Sequence, residues 1–127
     1  QMEVQRAVAR RSMEASRAES AVRDEIEAVQ QRLGEYGFSF FDLTECSPKA
    51  EKTKRQCAYA VLTLIGNRAM MDQLRRGRML PMKELSETSG VSRKILDRHR
   101  RYIIAAAEIL TGDYPILSAY LDYIRKV

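Results

Sequence analysis

The chain has 127 residues, 45% of them hydrophobic and 31% charged, with a formal net charge of +5 at pH 7. That length suits a single domain with its own core, and that composition is neither disordered nor fibrous. No run of about 18 apolar residues occurs, so membrane insertion is not expected and a cytoplasmic location is.

The charge is segregated. Residues 1–46 hold six Lys/Arg against nine Asp/Glu, a net of −3, while residues 47–127 hold sixteen against eight, a net of +8. A positive field confined to one half of a chain is the footprint expected for a polyanionic partner.

The chain opens on Gln1, not methionine, inside a polar, helix-like stretch, so a piece of a longer protein is expected. Residues 1–16 read as a linker or a helix extension, and 17–127 as one domain. From Ser16 the apolar signal sharpens: Val22, Ile26, Val29, Leu33 and Tyr36 follow a 4-3-4-3 spacing along one helix face, a core-facing stripe. Gly34 and Gly37 loosen the end of that helix. Phe38, Phe40, Phe41 and Leu43 then form a cluster expected to be pinned into the core as one or two helical turns.

Ser47-Pro48-Lys49 reads as an N-cap followed by proline at the first helical position. The helix it opens is expected to run through Cys57, Val61, Leu64 and Ile65 to about Arg76, apolar nearly all round and therefore central, with Gly77 closing it. Lys49, Lys52, Lys54 and Arg55 crowd its start.

The segment Leu80–Arg101, LPMKELSETSGVSRKILDRHRR, carries the most information. Pro81 suits the first position of a short helix, Leu85 anchors it, and Ser86 permits a close helix crossing. Gly90 can take the left-handed conformation that turns the chain. Val91 plugs the corner, and Ser92 caps a second helix. Leu96, His99, Ile103, Ala106 and Leu110 then recur at helical spacing, predicting one long helix with a buried second half. Its outer face carries Arg93, Lys94, Asp97, Arg98 and Arg101. Residues 93–101 hold five cations and one anion, and cations at a helix start oppose the helix dipole. The layout is a helix-turn-helix whose second helix can enter a DNA major groove. Downstream, Gly112 reads as a C-cap and Asp113 as an N-cap. Leu117, Tyr120, Leu121 and Ile124 line a last helix. The predicted fold is all-α, a compact bundle of about five to six helices containing a helix-turn-helix with a long recognition helix.

Catalysis finds no support. There is one histidine, no glycine-rich phosphate loop and no HExxH motif. Cys46 and Cys57 lie eleven apart with no second pair, which argues against zinc. No metal, cofactor or enzymatic activity is expected.

Leu80-Pro81, Lys83-Glu84-Leu85, Val91-Ser92-Arg93-Lys94, the run Asp97-Arg98-His99-Arg100-Arg101-Tyr102-Ile103-Ile104-Ala105, Gly112-Asp113-Tyr114-Pro115 and Ser47-Pro48-Lys49 together resemble the C-terminal domain of the sigma-I family of bacterial RNA polymerase sigma factors. The resemblance covers roughly residues 17–127. It implies a domain that reads the promoter −35 element and works with RNA polymerase core. It also implies control by the cytosolic segment of a membrane-bound anti-sigma factor, with stress response as a setting, and an N-terminal sigma domain outside this sequence. At Ile95 and Asp97 the chain departs from the family pattern of threonine and glutamate, so a different promoter preference is expected.

On this reading Arg93, Lys94, Asp97 and Arg98 are the candidate base readers. Asp97 either accepts from a cytosine amine or orients Arg93 or Arg101. Ser92, Arg101, Lys83, Lys49, Lys54 and Arg55 are the candidate phosphate contacts. The domain is expected to act as a monomer on double-stranded promoter DNA. Two alternatives stay open: a stand-alone regulator dimerising through the Val22–Tyr36 stripe, and a protein-interaction module whose basic face meets a protein partner.

Overall fold

The computed structural model describes residues 2–127, which form nine α-helices, one turn of 3₁₀ helix and no strand. The helices are α1 (Met2–Gly34), α2 (Leu43–Cys46), α3 (Glu51–Ile65), α4 (Arg68–Gly77), α5 (Met82–Ser89), α6 (Arg93–Arg98), α7 (Arg100–Thr111), α8 (Pro115–Tyr120) and α9 (Asp122–Arg125). The 3₁₀ turn, Phe40–Asp42, precedes α2. The all-α class agrees with the sequence, but there are more helices than expected because three predicted continuities are broken, at Gly66-Asn67, at His99 and, within the predicted last helix, at Leu121.

The centre is α7. Every residue from Tyr102 to Leu110 is buried, and α3 packs across it through Cys57, Ala58, Ala60, Val61 and Leu64. Ala105, Ala106 and Ala107 occur in succession on α7 and are all buried. Their small side chains let neighbouring helices approach from several sides.

Helix α1 is continuous from Met2, and its first 20 described residues are almost all exposed. Only its last turns join the body, where Val29 and Leu33 are buried and Val22 and Ile26 are half-buried; Tyr36, predicted on the same helix face, lies in the turn after it and is half-buried. Two carboxylates fasten it. Glu25 accepts backbone N–H bonds from Ile116 (3.1 Å) and Leu117 (2.9 Å), capping α8 from another helix where that helix has no side-chain cap of its own. Glu108 on α7, 3% exposed, accepts from Arg32 Nε at 3.0 Å, the Tyr36 hydroxyl at 2.7 Å and Arg75 Nη2 at 3.1 Å. One buried carboxylate thus ties α1, α4 and α7, and the surrounding hydrogen bonds offset its desolvation. The Glu108 charge, above all, raises the Arg32 pKa from its ordinary value.

Several local expectations are corrected. Ser47 ends α2 instead of capping α3, its hydroxyl donating to the Leu43 carbonyl. Pro48 is buried, and α3 begins at Glu51. The helix predicted to run to Arg76 breaks at Gly66-Asn67. Asn67 leaves helical geometry (φ −121°, ψ 101°), and its side chain accepts from the Met70 amide to cap α4. The left-handed residue after α4 is Arg78 (φ 58°), not Gly77. A non-glycine there costs about 1–2 kcal/mol. The strain is offset by the Arg78 guanidinium, which lies 5.5 Å from the Tyr36 ring centroid and 3.7 Å from the Glu35 carboxylate. Pro81 precedes α5 as its cap residue, and Tyr114, not Asp113, precedes Pro115 at the start of α8. Of the phenylalanines only Phe38 is fully buried. Phe40 is half-buried, and Phe41 is 73% exposed, lining an open surface cleft beside Val22 and Ile26 of α1. Tyr120 is also exposed, while Leu117 and Ile124 face inward.

Gly112 shows why a glycine opens the Gly-Asp-Tyr-Pro motif. A Cβ there would sit 2.4 Å from the Tyr114 ring and 3.0 Å from the Glu108 carbonyl.

Glu108→Ala strands two arginines and a tyrosine. Because Arg32 and Arg75 are 40% and 35% exposed, solvent recovers part of the loss, and a cost of about 2–3 kcal/mol is expected. It would be read as a lowered urea midpoint at unchanged m-value. Burial pushes the Cys57 thiol from 9.0 up to about 11, and burial followed by its bond to Glu108 raises Tyr36. Both raised groups are neutral in the fold and lose their protons first in the unfolded chain. Their contribution is therefore complete below about pH 9 and is lost as pH rises toward 11 and beyond, which a urea-midpoint series between pH 7 and 11 would register as a decline.

Candidate nucleic-acid interface

Helices α5 and α6 form the helix-turn-helix, and its corner is held by short polar contacts. Gly90 takes the left-handed conformation (φ 77°), with its N–H on the Ser86 carbonyl. The Ser86 hydroxyl donates to the Val91 carbonyl at 2.6 Å, and the Val91 amide donates to Ser89 Oγ at 3.1 Å. Val91 is 3% exposed and plugs the corner. Ser92 leaves the turn extended (φ −64°, ψ 149°), and its side chain accepts from the Ile95 amide to cap α6. Leu85 and Leu96, both fully buried, press the two helices onto the core.

The opposite side of α6 is open. Ser92, Arg93, Lys94, Asp97 and Arg98 are all exposed, so the four candidate base readers stand on one six-residue helix. Lys83 is exposed on α5. Three sequence expectations change here. The long recognition helix is interrupted: His99 departs from helical geometry (φ −113°, ψ 22°), separating α6 from α7. Arg101 consequently belongs to α7. It lines a cleft of about 470 Å³ with Tyr36, Phe38, Arg78 and Arg100, and Asp97 stands at the same cleft. Asp97 pairs with Arg100 at 3.4 Å, and not with Arg93 or Arg101. Ile95, one of the two departures from the family pattern, is half-buried against the core. It therefore sets packing beneath α6, while Asp97 alone of the two is exposed.

Lys49, Lys54 and Arg55 form a separate group at the turn into α3 and on its first turns. Lys49 and Arg55 are exposed, whereas Lys54 is half-buried and 3.9 Å from Glu51. Helix α3 packs on both α5 and α6, and among the described residues no hydrogen bond or ion pair joins these three cations to the exposed face of α6. Arg75, Arg76 and Arg78 sit nearby in sequence, but Arg75 is committed to Glu108 and Arg78 to Glu35 and Tyr36. Arg100, passed over by the sequence reading, is exposed beside Asp97. Its place in the basic run was a signal that could have included it. Among the described residues no cluster of three or more metal-ligating side chains occurs, and no helix is long and apolar enough to cross a membrane.

Two helices anchored on the core by Leu85 and Leu96, a left-handed glycine turn between them and a basic outer face on the second define a helix-turn-helix domain. No protein-family model matches the chain, but curated relatives do. RNA polymerase sigma factor SigI of Bacillus subtilis is 39% identical over 78% of this chain and 39% of its own length. SigI of Bacillus anthracis is 37% identical over 81% of this chain and 42% of its own. SigI7 of Acetivibrio thermocellus is 32% identical over 78% and 42%. The chain belongs to this sigma-I family of RNA polymerase sigma factors, and it spans about two fifths of the length of these relatives.

Ser92→Ala removes the one side-chain cap of a six-residue helix. A loss of about 1 kcal/mol is expected, with faster amide exchange at Ile95 than at the buried amides of α7.

Proposed function

We propose that this domain reads a short, asymmetric stretch of double-stranded promoter DNA, the −35 element, as the DNA-binding part of an RNA polymerase sigma factor. The observation that carries the reading is the two-sided α6, with Leu96 fully buried beneath and Arg93, Lys94, Asp97 and Arg98 exposed above. Helix α6 enters the major groove, where an arginine fork matches guanine O6 and N7 and a carboxylate accepts from a cytosine amine. Asp97, held by Arg100, has its second oxygen for a base. The Ser92 hydroxyl accepts from Ile95 and keeps its own proton to donate to phosphate. With Arg101, Lys83, Lys49, Lys54 and Arg55 it sets the register along the backbone.

With about four phosphate contacts the isolated domain would show a log–log salt slope near −4 and modest affinity. Tethering by polymerase core would raise the effective concentration at the promoter. Residues 17–127 would be the DNA-binding domain, with 1–16 leading toward an N-terminal sigma domain. A membrane-bound anti-sigma factor would regulate the assembly through its cytosolic segment. A monomer fits this reading better than a dimer built on the Val22–Tyr36 stripe, because Val29 and Leu33 of that stripe are at most 1% exposed and already serve the domain's own core.

The test is selection of duplexes from a random pool by this chain at two salt concentrations. One asymmetric motif is expected, while inverted half-sites would overturn the monomeric reading and no enrichment would overturn DNA reading altogether. Arg98→Ala should cost about 1–3 kcal/mol on the enriched site and relax one base position. Lys83→Ala should weaken binding to all sequences alike and reduce the salt slope by about 1.

A further inference from the structure

Nothing local stops the helix between Arg93 and Thr111. The segment RKILDRHRRYIIAAAEILT contains neither glycine nor proline, and its apolar positions keep helical spacing through His99. Local propensity therefore favours a single straight helix, yet the backbone leaves helical geometry at His99 alone. The cause lies outside the segment. The His99 ring is buried, 9% exposed, and its Nδ1–H donates to the Cys46 backbone carbonyl at 2.7 Å. Cys46 is the last residue of α2, so this carbonyl is one of those that a helix end leaves without an internal partner. Helix α2 in turn packs on α7. One bond thus satisfies the end of α2 and draws the chain off a straight helical path at position 99.

We propose that His99 is a positioning residue for DNA reading: anchored to the Cys46 carbonyl, it holds the break between α6 and α7 and so fixes the angle at which Arg93, Lys94, Asp97 and Arg98 are presented. The inference rests on the DNA-reading proposal above. A six-residue helix has two ends to fix, and the fold fixes each through a carbonyl. The Ser86 hydroxyl takes the Val91 carbonyl at the entry, and the His99 ring takes the Cys46 carbonyl at the exit. Without the second anchor, α6 is free to realign with α7. A bidentate arginine contact needs both N–H groups aimed at one base edge, so tilting the helix removes sequence discrimination before it removes general attraction to phosphate.

Two variants separate this role from plain core packing. His99→Asn keeps an N–H near the position of Nδ1, whereas His99→Leu fills the space without a donor. Each is compared with the unaltered chain and with Arg98→Ala on the duplex enriched from the random pool and on a random duplex of equal length. Residual dipolar couplings measured without DNA give the angle between α6 and α7. For His99→Leu the expected result is a changed angle, with the ratio of enriched to random affinity falling about tenfold, the worth of one misdirected base contact. Its affinity for random duplex and its salt slope stay as they were. His99→Asn should restore both angle and ratio. A His99→Leu chain with the original angle and ratio overturns the proposal, and so does a His99→Asn chain that fails like His99→Leu. If Arg98→Ala discriminates as well as the unaltered chain, the assigned reading face is wrong, while the couplings still decide whether His99 sets the angle.

Discussion

The complete burial of α7 is the constraint on which the rest of this structure depends. Nine consecutive residues, Tyr102–Leu110, are withdrawn from water, so the helix must be covered on every side. The covering elements are α1, α2, α3 and α8. Eight of the nine residues are apolar, and the exception, Glu108, gives the arrangement its specificity. A charge at 3% exposure is tolerated only where its lone pairs are occupied, and Arg32 and Arg75 from two other helices and Tyr36 from the turn after α1 occupy them. Hydrophobic burial gathers the helices, and this carboxylate defines how α1 and α4 must sit against α7.

The candidate DNA-binding surface inherits that order. Helix α6 is too short to be stable alone, and its geometry is borrowed from three places: the serine-locked turn before it, the buried Leu96 and Ile95 beneath it, and the His99 anchor after it. The cations it displays need no partners within the fold. Arg93, Lys94 and Arg98 form no ion pair among the described residues, whereas the other arginine-rich group, at the end of α4, is largely spent on internal contacts. Two basic clusters that look alike in sequence therefore differ in availability. One faces outward on a presented helix, and the other helps to hold the molecule together.

The extended start of α1 contrasts with this economy. Its first 20 described residues leave Val4, Val8 and Met13 more than half exposed, and the helix meets the body only near Glu25 and beyond. The tertiary fastening at Glu25 and Arg32 gives that projecting segment a defined direction relative to the helix-turn-helix.

The amino-acid sequence by itself determined the features governed by local chemistry and period. These are the all-α class, the core positions Leu85, Val91, Leu96, Ile103 and Leu110, the left-handed Gly90, the Ser92 cap, and an exposed basic face on the helix that follows. Each depends on neighbours within one or two turns, so spacing and residue type suffice. Tertiary structure decided the helix ends that carry no local signal. The break at His99 needs a carbonyl 53 residues away, and the left-handed Arg78 is offset by Tyr36 and Glu35. Ser47 and Pro48 close one helix instead of opening the next, since Pro48 is buried in the body. Glu25 and Glu108 gave no local signal either, because their partners lie 91 and 92, and 76, 72 and 33, residues away. Local propensity and local caps choose helix along most of this chain, and long-range hydrogen bonds such as those of His99 and Glu25 fix the remaining ends.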